Sequence, residues 1–404
     1  MGVQSMNKTP QAELTTGLVV LMAIATGLVV ASNYYAQPLL ETIATQFNLT
    51  TNMAGFIVTA AQLGYAAGLL FLVPLGDIFE RKSLVLVMTS LSALGLLITS
   101  LSDNIWQILL GTALTGLFSV VAQVLIPMAA TLAKPSQRGK SVGIIMSGLL
   151  LGILLARTIS GAVAMVGGWR AIYWVAFALL VLLIIVMAYK LPRYHQKTHL
   201  NYFQLLFSIG QLFCSTPVLA VRALLGALSF ANFALLWTAM AFLLASPPFN
   251  YSEGTIGLFG LVGAAGALMA TQAGHLVDKG KGKYVTTIGL VLLLLSWIPI
   301  GLAKYSLIAF IIGVLILDLA VQAVHVTNQS TLYRILPEAR NRLTAGYMTS
   351  YFIGGALGSL LSGYAYEKAG WEGIAISGGI LCVISIIVWI IGFRFDPNIT
   401  PTDE

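Results

Sequence analysis

Long apolar runs separated by short polar turns set the pattern of this chain. Twelve mostly apolar stretches follow one another, at 14–36, 53–75, 83–101, 106–133, 141–165 and 170–189, then 218–245, 255–277, 284–302, 306–334, 343–366 and 373–393. A helix crosses a hydrocarbon core in about 20 such residues. None of the stretches shows the alternation of a membrane-barrel strand. The pattern therefore predicts an all-α membrane protein of twelve transmembrane helices, numbered here as spans 1 to 12. One longer polar interruption divides it into an N-terminal six-helix half at 14–189, a linker at 190–217 and a C-terminal half at 218–393. Tails remain at 1–13 and 394–404.

The halves repeat one another. Val73 to Lys82, after span 2, carries Asp77, Glu80, Arg81 and Lys82 in a tight turn. Gly274 to Lys283, after span 8, carries Asp278, Lys279, Lys281 and Lys283, with Asp278 standing 201 residues beyond Asp77. Arg138, Lys140, Met146, Gly152, Gly161 and Trp169 are matched, at an offset of 202, by Arg340, Arg342, Met348, Gly354, Gly363 and Trp371. An ordered series of this kind indicates a duplicated unit and two pseudo-symmetric halves.

Charge changes the picture in one respect. Hydrophobic residues make up 58%, charged residues 9%, and mean hydropathy is +0.90, against about 25% charged residues in a soluble protein. The net charge of +7 would suit a nucleic-acid partner, but its distribution excludes that reading. With the loop after span 2 in the cytoplasm, 16 of the 21 basic residues fall on that side, and only Arg170, Lys304 and Lys368 on the other. That asymmetry is the positive-inside pattern. It predicts a multi-pass membrane protein with both termini cytoplasmic. The first apolar run is too long for a signal-peptide core and lacks a cleavage site. Leu200, Phe203 and Phe207 in the linker predict a short helix on the membrane surface. Cys214 and Cys382 are isolated, and His195 with His199 lacks a third ligand, so no metal or other cofactor is expected.

The turn after span 2 resembles the Gly-x-Leu-Ala-Asp-Arg-x-Gly-Arg-Lys signature of the major facilitator superfamily, with Asp77, Arg81 and Lys82 in register. It departs from that signature at Val73, Ile78 and Glu80. The second copy keeps Gly274, Asp278, Lys279 and Lys283. With twelve spans in two halves, the resemblance covers nearly the whole chain. It implies transport by alternating access and a gate, with the turn's carboxylate set against a helix N-terminus and nearby basic residues. Span 5 is similar to the Gly-rich antiporter signature of drug–proton exporters, keeping Gly148, Gly152 and Gly161. Ala156 replaces a glycine there and Arg157 replaces the proline.

Polar residues inside a membrane usually face a cavity or one another. Span 10 carries Asp318, Gln322, His325 and Gln329 on one helix face. Span 4 offers Thr112, Ser119 and Gln123, span 1 offers Asn33, Tyr34 and Gln37, and span 7 offers Ser229 and Asn232. The resemblance implies that spans 1, 4, 7 and 10 line a central path. For each single Asn, Gln or Ser, a helix–helix bond is an equal reading. Arg157 needs an anion or a set of carbonyls, from a substrate, from Asp318 or from the backbone. Asp318 is the expected proton carrier, with His325 as relay through Gln322 or water. No HExxH, GxSxG or P-loop pattern is present, so no enzymatic role is expected. The expectation is a monomeric secondary transporter of a small organic molecule, coupled to protons and exporting. Uptake by symport is the alternative, and a non-transporting receptor stands behind both.

Overall fold

The computed structural model describes residues 14–134, 137–195, 201–269, 276–277, 279–335 and 340–395. These residues are helical nearly throughout, and no strand occurs among them. Nine of the described helices are long and apolar enough to cross a membrane, and Thr16–Ala31 and Glu253–Leu268 are shorter apolar helices. One of the nine, Arg340–Gly392, is two spans joined at Gly370, whose φ of 58° is not helical. Span 4 is a single pass built of two helices, Ile105–Phe118 and Ala122–Leu132. Twelve passes result.

Local chemistry explains several helix starts. Thr15, Thr50 and Asn104 each accept a bond from the backbone N–H three residues on, capping spans 1, 2 and 4. The turns from span 5 to 6 and from span 11 to 12 are made by Gly168 and Gly370, with φ of 75° and 58°. Both lie in the left-handed region that costs glycine nothing. They are themselves 202 residues apart.

The repeat is also visible in packing. Gly152 of span 5 lies on Gly27 of span 1, and Gly354 of span 11 lies on Ala227 of span 7; neither leaves room for a Cβ. Such small residues let membrane helices approach closely. Across the halves, Gly161 meets Glu253 and Gly254 at the start of span 8, and Gly363 meets Thr51 and Asn52 at the start of span 2. Spans 5 and 8, and spans 2 and 11, are thus the seams between halves. The linker holds a helix at Tyr202–Ser215, close to where Phe203 and Phe207 place it. Both of these phenylalanines are exposed.

Candidate functional site

Span 1 is not one straight helix. Its first part ends at Ala31, and after a turn the chain re-enters a 3-10 segment at Gln37–Leu39. The break frees the Tyr35 carbonyl, which accepts a 2.7 Å bond from Ser160 of span 5. It also carries Gln37 to Arg157, whose Nε donates to Gln37 Oε1 at 2.5 Å. Arg157 is 3% exposed. Its guanidinium lies 4.1 Å from the ring centre of Trp237, 5.0 Å from Tyr34 and 5.3 Å from Phe233. Desolvated cation–π contacts contribute about 2 kcal/mol each at the upper end.

Asp318, 4% exposed in span 10 (Leu307–Ile335), accepts a 3.2 Å bond from the Nε1 of the same Trp237. Arg157 and Asp318 do not form a direct ion pair within 4 Å. The indole stands between them, offering its face to the cation and its N–H to the carboxylate. The connection runs Gln37–Arg157–Trp237–Asp318 and crosses from one half to the other.

Both charges line a cavity of about 480 Å³. Leu69, Met146, Ile153, Phe230, Val321 and Phe352 are among its apolar walls; Tyr34, Gln123, Gln322, His325 and Gln329 are among its polar ones. It extends to the linker end of the bundle, reaching Asp77, Arg81, Arg342 and the linker-helix residues Leu205 and Ile209. The opposite end is held together. Thr42 bonds Glu253 at 2.5 Å, the Asn52 N–H donates to Glu367 at 3.2 Å, and Thr59 and Ser359 share a 2.8 Å bond. Among the described residues, then, the cavity reaches the linker end, and these bonds join the halves at the other.

The sequence-predicted residues divide. Tyr34, Gln123, Arg157, Asp318, Gln322 and His325 meet at the cavity, while Gln37 stands behind Arg157. Asn33 and Asn232 do not line it. Asn33 donates to Ser119 at 2.6 Å, where span 4 breaks, and Asn232 accepts from Trp297 at 2.9 Å and from Cys382. Each was equally readable as a helix–helix bond, and that is how the structure uses it. His325 bonds the Tyr347 hydroxyl at 3.0 Å rather than Gln322. Tyr347 also accepts from Asn328, which accepts from Arg222 at 3.0 Å. Arg222 is 1% exposed and also donates to Thr286 at 2.8 Å. Sequence reasoning missed Trp237 and Tyr347, and it found Arg222 inside an apolar run without giving it a role. The signal was present: Phe230, Phe233 and Trp237, at spacings of three and four, place aromatic rings on one helix face.

In the signature turn, the carboxylate at a helix N-terminus is Glu80 and not Asp77. Glu80 caps the helix Arg81–Ser100, accepting from the N–H groups of Lys82 at 3.0 Å and Ser83 at 3.2 Å. It directly precedes the first helical residue, where a carboxylate satisfies orphan N–H groups and meets the positive helix end. Partial burial pushes its carboxyl up. The bonds from the Ser83 hydroxyl and the Lys82, Ser83 and Tyr194 N–H groups outweigh that and hold it below the usual range. Asp77 pairs instead with Arg81 at 3.4 Å. Arg81 is tied to the linker by its own N–H to the Tyr194 carbonyl at 2.8 Å and by stacking on the Tyr194 ring. Asp278 lies outside the described residues, and Lys279 is exposed in a turn.

The description of the Major Facilitator Superfamily matches residues 22–246 and 222–403. "Uncharacterized transporter YgaY" of Escherichia coli O157:H7 is 62% identical over 385 residues, covering 95% of this chain and 98% of that protein. "Probable transporter SCO4007" of Streptomyces coelicolor is 31% identical over 365 residues, covering 90% and 85%. Among solved structures, an inward-facing, unoccupied bacterial homologue of the human lysosomal transporter Spinster superposes with a TM-score of 0.81. It is 14% identical and covers 96% of this chain and 98% of that one, a likeness of fold. A twelve-span bundle of two repeated halves around a central cavity, with this family match and these relatives, is a transporter, and the chain belongs to the major facilitator superfamily.

Proposed function

We propose that the protein is a proton-coupled secondary transporter that exports a small organic molecule by alternating access across the bacterial inner membrane. It acts as a monomer, with both termini and the linker end cytoplasmic. The halves 14–189 and 218–393 move as units about the seams. Asp318 carries the proton. The observation that carries this reading is a buried carboxylate on the wall of a cavity formed by both halves, tethered through Trp237 to Arg157 of the other half. Protonating Asp318 removes the anionic end of that tether, which gives proton binding a means to change how the halves meet. The mostly apolar wall suits an amphiphilic substrate.

Uptake with the proton is the second reading, and the same tether favours it for one class of substrate. When Asp318 is neutral, the positive charge of Arg157 acts more strongly on any anion in the cavity, so proton and anion bind together rather than in competition. Proteoliposomes carrying a pH-sensitive dye decide between the two. Substrate leaving by exchange drives protons in the opposite direction, whereas cotransport moves them the same way. No substrate-dependent proton movement with any transported compound overturns proton coupling.

A further inference from the structure

Arg157 is more confined than a cation that merely lines a path. Its Nε is committed to Gln37, and three aromatic rings surround the guanidinium. Its Nη2 is buried, with no hydrogen-bond partner, in a residue that lines the cavity. The Nε2 of Gln37 is likewise buried without a partner. An unpaired guanidinium N–H inside a membrane protein is expensive, because neither water nor lipid replaces the lost bond. Asp318 does not relieve it, being engaged by the indole N–H and beyond ion-pair reach.

We propose that the substrate of this cavity is an organic monoanion with an apolar body, its carboxylate or equivalent oxoanion seated on the Arg157 guanidinium. The guanidinium is held in place by Gln37 and Trp237 before the ligand arrives, so little ordering remains to be done on binding. The body of the ligand lies against the rings of Phe230, Phe233, Tyr351 and Phe352, which line the same cavity. Phe230 stacks on Tyr351 with centroids 4.1 Å apart, and also contacts Phe233 and Phe352, giving a continuous aromatic wall. The wall accepts an apolar body, and the buried Arg157 beside it selects its charge. This inference rests on reading the cavity as the transport path and is independent of the direction of transport.

The test uses 2-naphthoate and 2-naphthamide, which share a body and differ in charge, binding to purified full-length protein in detergent with no gradient. The acid is expected to bind about ten- to a hundredfold more tightly than the amide, the range for a hydrogen bond to a charged group. In Arg157→Gln the acid should fall to the amide's affinity while the amide changes by less than about twofold, because only a charged donor is lost. Arg157→Lys, which keeps the charge without the planar fork, should retain a reduced preference for the acid. Equal affinities in the wild type, binding of neither probe, or a full preference surviving in Arg157→Gln overturns the proposal. The wild-type comparison decides even where a variant fails to fold. Anion preference without proton movement in proteoliposomes would leave this site standing and remove proton coupling; coupled transport of neutral compounds alone would do the reverse.

Discussion

At an offset of 202 residues, the two halves put different chemistry on the same scaffold. Arg157 of span 5 is matched by Ser359 of span 11, and Asp318 of span 10 by Gly116 of span 4. Gly116 lies on the backbone of Ala61, and Asp318 stands against Gly263, the residue equivalent to Ala61. Ser359 shares a hydrogen bond with Thr59 across the seam, whereas Arg157 is held by Gln37 within its own half. Trp237, which joins the two charges, is matched by Tyr35. The packing is duplicated and the charge is not. Glycine contacts determine how the halves stack, so they recur. The ionisable pair uses non-equivalent positions, which sets a cation of span 5 and a carboxylate of span 10 on the cavity wall and favours one orientation for a ligand.

The largest expected effect comes from making span 10 as neutral as span 4. Asp318→Asn preserves shape and hydrogen bonding but cannot cycle a proton, so transport driven by a pH gradient should fall by two orders of magnitude or more, on the order expected for an essential proton carrier. Energy-independent exchange should persist. Gradient-driven transport at the normal rate would remove Asp318 from the mechanism. Next, Arg157→Ser copies Ser359 into span 5. Transport should drop at least about tenfold, the scale of a lost charge-assisted bond, while the amount of protein in the membrane stays within normal range. An unchanged rate would show the arginine to be merely tolerated.

A smaller effect tests the shared part of the comparison. A Cβ at Gly161 falls on the backbone of Glu253, and one at Gly363 on that of Asn52. Gly161→Val and Gly363→Val should therefore impair transport to similar extents by holding the halves apart at the end away from the linker. Greater thiol labelling of a cysteine at Thr59 would report that opening. Strongly unequal losses would mean that the seams are not equivalent. The smallest effect is a silent one. Lys281→Cys, in a background lacking Cys214 and Cys382, should transport normally and resist an impermeant thiol reagent in intact cells. Labelling from outside would invert the proposed topology.

The spans were legible in the sequence because about twenty apolar residues in a row have few other solutions, and the repeat was legible because its glycines are fixed by contact. The breaks in spans 1 and 4 were not. A change of dihedral at a few residues within an apolar run leaves hydropathy unaltered, although these breaks place Gln37 and engage Ser119. Arg157 and Asp318 stood out because charge inside a membrane demands a reason. Trp237 did not, since an aromatic residue in an apolar helix ordinarily reads as packing, and its role exists only where two helices from different halves meet it. Asn33 and Asn232 illustrate the converse: a buried amide declares that it needs partners and not which ones. Glu80 shows the limit of a signature, because the capping position depends on where the helix begins and not on which acidic residue the motif emphasises.

The glycine seams bear on how quickly such a protein can turn over. Where Gly161 and Gly363 meet the opposite half, backbone lies on backbone, with Met165 packed over Gly254 beside one contact and Tyr65 on Phe352 along the other seam. At the two glycines themselves, parting the surfaces requires no rotamer to rearrange. What is lost is shallow dispersion contact and a few hydrogen bonds, including Thr42 to Glu253 and Asn52 to Glu367, which entering water can replace as the gap widens. These glycine contacts are therefore expected to part easily, which leaves the charged centre as the place where the cargo itself can act on switching.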